Sequence, residues 1–249
     1  MTKRSIRCFF ASLALLPVLL SCNGREDNSG KATVRFSVRP DSPVAEITRS
    51  NVSDFTALPS GDDFTIVITD SKENVVYSGL VKDYPADKAY SVGNYSVKAS
   101  YGSVSDEGFD KPCFIGTQDF TVTGGSTNDV TVNVKLANAI VRIACSEMFT
   151  KYYTDYTFTL KTGNGTVISY PKSETRAVFV DAYTLTIEGE LTTQAGKAAT
   201  FSKAYSSALS EATCYTLKFD ASNIGSGSIS ITFDNSTDDV DLGFVELND

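Results

Sequence analysis

The sequence has 249 residues, and none of them is histidine or tryptophan. The first absence removes the side chain that most often serves as general base near neutral pH and most often ligates metals. The second removes the strongest aromatic platform for sugars or cations. Cysteine is scarce, at positions 8, 22, 113, 145 and 214, and no two of these stand at metal-ligand spacing. Cations are outnumbered, 22 Lys and Arg against 30 Asp and Glu, for a net charge of −8. A chain this acidic is repelled by phosphate backbones, so nucleic acid is excluded as a partner. There is no Gly-x-Ser-x-Gly elbow and no phosphate-cradling glycine loop between strand and helix. Catalysis would have to rest on paired carboxylates, yet no stretch sets carboxylates among apolar strand ends, where an acid can be tuned. No catalytic residue, metal or cofactor is therefore assigned.

At the N-terminus Lys3, Arg4 and Arg7 precede an apolar run from Cys8 to Leu20 and the small residue Ser21. This is the layout of a secretory signal. The run is too short to cross a bilayer as a helix, which takes about 20 residues, and Pro17 interrupts it. Leu19-Leu20-Ser21-Cys22 resembles the bacterial lipobox. That resemblance implies a signal peptide over 1–21, a cut before Cys22 and acylation of its thiol. Several acyl chains on one residue hold a protein to a membrane where a single chain binds marginally. Residues 22–30 are polar and glycine-containing, the composition of a flexible tether. Glu26 and Asp27 resemble the acidic patch that accompanies surface export in Bacteroides-type lipoproteins. The expected location is therefore the cell envelope, as an outer-membrane lipoprotein exposed at the surface.

From Lys31 onward Val, Thr, Ile, Tyr and Phe dominate, broken every few residues by Gly, Asn, Asp or Ser, the pattern of short strands and turns. In "NDVTVNVKL" Val130, Val132, Val134 and Leu136 alternate with polar residues, giving one buried face and one wet face. "DFTIVITDSKENVVYSGL" reads as a hairpin turning at Ser71 to Asn74. "YTFTLKTGNGTVISY" reads as another, with Asn164-Gly165 supplying positive φ at the turn. "CYTLKFDASNIGSGSISITFD" closes the series. One helix is expected near 146–153, capped by Ser146 and carrying Met148, Phe149 and Tyr152 on one side. The class is all-β: two tandem antiparallel sandwiches, transthyretin-like or Ig-like, over 31–137 and 138–249. A turn followed by Tyr-x-(Val/Leu) recurs at Tyr95, Tyr183 and Tyr215, each ring expected to pack at a sandwich edge with its hydroxyl on a backbone partner.

Cys113, Cys145 and Cys214 allow at most one disulfide. They read as small buried hydrophobes, with a Cys145–Cys214 bridge as the alternative in an oxidising envelope. Asp234, Asp238, Asp239 and Asp241 form an acidic cluster that could take a hard cation through oxygen. It lacks the order of an EF-hand loop, and a solvated loop explains it better. Phe149, Tyr152, Tyr153 and Tyr156 could form a sugar-stacking patch or, more simply, pack a short helix.

The run "GNYSVKASYGSVSDEGFDKPCFIGTQDFTV", then "VTVNVKLANAIVRIACSEMFTKYYTDYTFTLKTGNG", resembles a domain-of-unknown-function family of Bacteroides-type lipoproteins. The recurring pieces are a Gly-x-Tyr strand, a Gly-Phe-Asp-x-Pro-x-Phe-x-Gly turn, a Phe-Thr-Val strand and a Leu-Ala-Asn-Ala junction. Members are similar in layout to fimbrillin-like proteins, lipoprotein precursors of two transthyretin-like sandwiches that build adhesive filaments. The resemblance implies a lipid-anchored, non-catalytic adhesin or fimbrial subunit, with the membrane and other fimbrillin-like subunits as partners. Such proteins mature by a cut after an arginine, which removes the first strand and opens a groove for a strand from the next subunit. Arg49, in "EITRS", stands in that position, although it also reads as an ordinary loop residue. The alternative function is a glycan-binding surface lipoprotein, in which Tyr152 or Tyr153 would contact sugar. A carboxylate hydrolase is the remote third.

Overall fold

The computed structural model describes residues 30–40, 51–125, 127–221, 228–234 and 239–246. Along them run β1 (Lys31–Pro40), β2 (Thr65–Asp70), β3 (Val75–Leu80), β4 (Ala89–Ser91), β5 (Gly93–Tyr101), β6 (Gly108–Phe109), β7 (Phe114–Val122) and β8 (Asn128–Leu136). After Ala137 come β9 (Asn138–Cys145), α1 (Glu147–Tyr152), β10 (Tyr153–Thr162), β11 (Val167–Pro171), β12 (Val178–Asp181) and β13 (Leu185–Thr193). The chain then forms β14 (Ala198–Tyr205), β15 (Cys214–Asp220), β16 (Ser228–Asp234) and β17 (Asp239–Glu246). The three sheets have the orders β3-β2-β5-β7-β8-β1-β4, β11-β10-β13-β14 and β17-β16-β15-β9-β12-β6. The class is all-β with one short helix, as the strand patterning predicts. No helix among the described residues is long and apolar enough to cross a membrane.

β8 shows how the sequence sets this up. From Val130 onward its residues alternate buried and exposed without a break, because period-two patterning matches the pleat. β7 and β8 are hydrogen-bonded only at Phe114↔Leu136 and Ile115↔Lys135, and beyond that corner β8 turns to pair with β1. The pivot is Gly116: a Cβ there would lie against the Asn133 carbonyl and Val134. No other side chain fits the crossing without displacing backbone.

Two ladders are parallel, β1 with β8 and β9 with β15, within sheets that are otherwise antiparallel. A parallel pair cannot be joined by a tight turn, so β2 to β7 lie between β1 and its partner in the chain. The β9–β15 register also settles the thiols. Cys214 stands opposite Ile140, while Cys145 stands opposite Phe219. At about 3.3 Å per residue the two cysteines are roughly 16 Å apart along the ladder, which rules out the alternative Cys145–Cys214 bridge. None of the three described thiols is in a disulfide.

There are two hydrophobic cores. One gathers Val34, Phe64, Ile66, Val97, Phe114 and Val132. The other gathers Val141, Phe149, Phe158, Leu160, Ile187 and Phe219. The six-stranded sheet serves both. Val178 and Val180 of β12 enter the second core, and Phe179 between them enters the first. β9 does the same with Ala139 and Val141 on one face and Ile140 on the other.

The helix near 146–153 and the β10–β11 turn form where expected, each with one departure. Ser146 caps α1, its Oγ accepting the Phe149 N–H at 3.0 Å. Phe149 is fully buried, but Met148 points outward and is 44% exposed, because a six-residue helix presents barely one face to the core. In the β10–β11 turn only Gly165 has positive φ, +88°. The Thr162 carbonyl accepts from Gly165 N–H at 2.9 Å, a type I turn closed by a left-handed glycine, so Asn164 stays at negative φ.

Candidate functional site

β1 lies between β8 and β4, parallel to the first and antiparallel to the second through Lys31↔Ser91, Ala32↔Tyr90 and Thr33↔Ala89. Its inward residues Ala32, Val34 and Val38 are buried. On its outer face Thr33 and Ser37 hydroxyls meet Thr127 and Thr131, each pair at 3.0 Å. Among the described residues β4 has β1 as its sole strand neighbour. Withdrawing β1 would therefore expose one edge of β8, strip β4 of its pairing and open an apolar slot. Each fully buried Val is worth about 1.5–3 kcal/mol.

The fourth inward residue, Phe36, is half-buried and belongs to a chain of rings. It meets Tyr84 edge-on at 5.0 Å and Phe120 at 5.6 Å. Phe120 stacks on Tyr95 at 5.6 Å and 20°, and Tyr95 meets Tyr90 at 5.4 Å. The Tyr84 hydroxyl donates to Tyr90 Oη at 3.1 Å, closing the circuit. Tyr77 joins through Tyr84 at 5.0 Å, and Lys88 Nζ lies 5.9 and 5.6 Å from the Tyr77 and Tyr90 ring centroids. Of these six rings only Tyr90 is fully buried.

The Gly-Phe-Asp-x-Pro-x-Phe-x-Gly segment is a latch between the two cores. Gly108 and Phe109 form β6, which adds to the edge of β12 through Val178↔Phe109 and Phe179↔Gly108. Phe109 packs against the second core and on Tyr170 at 5.7 Å, with the Arg176 guanidinium 4.6 Å from its ring centroid. Asp110 takes φ +55° and accepts from Arg176 Nη1 at 2.8 Å. That pair is about half exposed on both sides, so solvent screens it and it adds little to stability. Arg176 also grips Glu174 and holds that carboxyl down at about 2. Phe114 enters the first core, and Gly116 makes the strand crossing.

Glu107, just before this motif, carries more weight. Its side chain is 6% exposed. Oε2 accepts from Thr162 Oγ1 at 2.6 Å and Oε1 from the Asp181 N–H at 2.9 Å. Charge-assisted bonds of this kind are about twice as strong as neutral ones. In the sequence Glu107 is an ordinary acid in a polar loop, and its one signal is its place beside the Gly-Phe-Asp motif.

The other candidates fall as follows. Cys22, Arg49 and Asp238 lie outside the described residues. Asp234 and Asp239 face each other in register where β16 passes to β17, and Asp241 stands opposite Thr232. Among the described residues no three His, Cys, Asp or Glu side chains come together to hold a metal ion. The proposed sugar patch is taken apart: Phe149, Tyr153 and Tyr156 are 0%, 2% and 8% exposed, stacked into the second core around Phe158 and Phe219. Only Tyr152 remains half-exposed. The tyrosine echo holds at Tyr95, which donates to Ser91 O at 3.0 Å, and at Tyr215, whose hydroxyl accepts from Ser210 N–H at 2.8 Å. It fails at Tyr183, 53% exposed ahead of β13.

Comparison with known proteins adds the following. A family model described as a domain of unknown function, DUF4493, matches residues 30–245. No curated protein matches the chain. Among solved structures, a candidate cell adhesion protein from Bacteroides ovatus ATCC 8483 superimposes with TM-score 0.47 at 11% identity, covering 88% of this chain and 98% of that one. A candidate adhesin from Bacteroides thetaiotaomicron VPI-5482 gives 0.42 at 11%, over 88% and 99%. A candidate polysaccharide-binding protein of that organism gives 0.41 at 14%, over 81% and 95%. Likeness of this degree fixes neither fold nor function.

Proposed function

The chain belongs to the DUF4493 family, and on that premise we propose that it is a lipid-anchored, non-catalytic cell-surface protein, a fimbrillin-like adhesin or filament subunit. The lipobox-like end at Cys22 supports the anchor, and with it an outer-membrane location exposed at the surface. Support for the non-catalytic part comes from the missing histidine and from the thiols. Burial pushes Cys113 and Cys145 up to about 11, so both stay protonated and unreactive at neutral pH.

The observation that carries the subunit role is β1. It is the first strand among the described residues, it fills a slot between β8 and β4, and the segment 41–50 that follows it contains Arg49. A cut there would leave the slot for a strand from another subunit, which would need small or β-branched residues where Ala32, Val34 and Val38 sit and an aromatic at Phe36. Strand addition of this kind draws affinity from main-chain hydrogen bonds and specificity from alternate side chains.

Two measurements test this. Replacing Cys22 by alanine is expected to move the protein from the membrane fraction to the soluble fraction, and retention after the change refutes the anchor. Intact-mass and N-terminal analysis of surface material tests the exchange. A chain beginning at Ser50 supports it, whereas one beginning at acylated Cys22 rules out maturation at Arg49.

A further inference from the structure

β1 turns every second side chain outward, and its charge lies on that side. Lys31, Arg35 and Arg39 share the outer face with Thr33 and Ser37, and all three cations are exposed. They recur every four residues, about 13 Å apart along the strand. The parallel register sets Arg35 beside Asp129, Ser37 beside Thr131 and Arg39 beside Asn133. Lys135, also exposed, stands further along β8 on the same face. On the other side of β1 the face continues with the small residues Ala89 and Ser91 of β4. Four cations thus share three neighbouring strands with one carboxylate, Asp129, in a chain whose net charge is −8. Their side chains take no ion pair or hydrogen bond among the described residues. Elsewhere arginine is tied down: Arg142 donates to Thr216 Oγ1 at 2.7 Å, and Arg176 is held by Asp110 and Glu174.

We infer that the outer face of β4, β1 and β8 rests on an anionic lipid surface, with Lys31, Arg35, Arg39 and Lys135 against the headgroup phosphates, as a second contact beside the lipid on Cys22. The position of the stripe selects this occupant. Residues 22–30 lead straight into Lys31, and nine residues reach at most about 30 Å. A chain held at Cys22 therefore offers the start of β1 to the membrane at high effective concentration. The short neighbours Ala89, Ser91, Thr33, Ser37 and Thr131 leave the cationic heads standing clear of a flat sheet, so all four can meet one plane. Each basic residue near an anionic bilayer strengthens binding about fivefold. The attraction acts over a Debye length, about 8 Å at physiological salt, so acidic residues farther from the plane are screened and the rest of the chain faces outward. Alone such a stripe binds weakly and reversibly, whereas a lipid together with a basic patch makes a stable anchor.

The choice of a membrane rests on the reading of Cys22 as a lipid anchor, but its test needs no lipid. Flotation of the full mature chain carrying Cys22→Ala, with vesicles rich in phosphatidylglycerol or made of phosphatidylcholine alone, reads the face by itself. Binding to the anionic vesicles only is expected at low salt, and its loss in about 1 M salt, where the Debye length is about 3 Å. Arg35→Gln with Arg39→Gln is expected to weaken binding about thirtyfold, as two basic residues at an anionic surface imply. Arg35→Lys with Arg39→Lys keeps the charge and is expected to bind as the parent does. Lys72→Gln with Lys197→Gln, the same change in net charge at exposed positions elsewhere, is expected to leave binding unchanged. Equal binding to phosphatidylcholine, undiminished binding by the Arg35/Arg39 glutamine pair, or an equal loss in the Lys72/Lys197 pair overturns the proposal. So does retardation in a polygalacturonate gel without vesicle binding, which would make an acidic glycan the occupant. The two readings fail separately, because release of Cys22→Ala from cell membranes reports on the lipid and vesicle binding reports on the face.

Discussion

Truncating Phe179 to alanine is expected to cost about 3–5 kcal/mol, the range for deleting a fully buried ring, and to lower the melting temperature by about 10 °C in a chain of this size. The residue is 0% exposed. It stands on a strand whose neighbours Val178 and Val180 enter the other core, while Phe179 itself packs with Ile140, Ala177 and Cys214 in the first. The cavity opens on one side of a sheet that the opposite side also needs. Amide exchange is therefore expected to rise along β9, β12 and β15 together, in one cooperative unit. A loss confined to β1, β2, β5, β7 and β8, with β10 and β13 as slow as before, would sink the idea of a shared sheet.

Glu107→Ala is expected to cost about 3 kcal/mol. The change leaves the Thr162 hydroxyl proton and the Asp181 N–H without their acceptor, at about 1–3 kcal/mol for each stranded donor, while Thr162 Oγ1 still accepts from the Thr166 N–H. Glu107→Gln separates this from a charge effect. Its carbonyl can still accept from Asp181, and its amide can donate to Thr162, so a loss of about 1 kcal/mol is expected. Urea unfolding of both variants decides it. Equal losses for Ala and Gln would mean that the negative charge, not the hydrogen bonds, holds the latch. A negligible loss for Ala would mean that β6 is held by Phe109 alone.

What was legible in the sequence follows the exposure of each strand. β8 could be read because one of its faces is wet, so polar and apolar residues had to alternate. In β9, "NAIVRIAC", Asn138 through Val141 are all buried. Such a run announces a strand but not which side faces which core. The parallel seat of β1 was hidden for a different reason: it depends on β8, which comes after β2 to β7 in the chain, and nothing local encodes that choice. Aromatic composition misled at Phe149, Tyr153 and Tyr156, because Phe149 of α1 and Tyr153 and Tyr156 of β10 all turn into the second core. The half-exposed rings lie instead at Phe36, Tyr77, Tyr84, Tyr95 and Phe120, spread over separate strands and joined only by the fold.

The placement of β1 has a mechanical side. If the chain is held at Cys22, any pull between membrane and folded part enters through Gly30 and loads β1 before any other strand. A load drawn along that strand meets the whole β8 ladder, from Val34↔Asn128 to Pro40↔Val134, together with the ring of Phe36 wedged between Tyr84 and Phe120. The strand whose removal would open the slot would then also be the one under tension, and its grip on β8 would set the force at which a protein so held gives way.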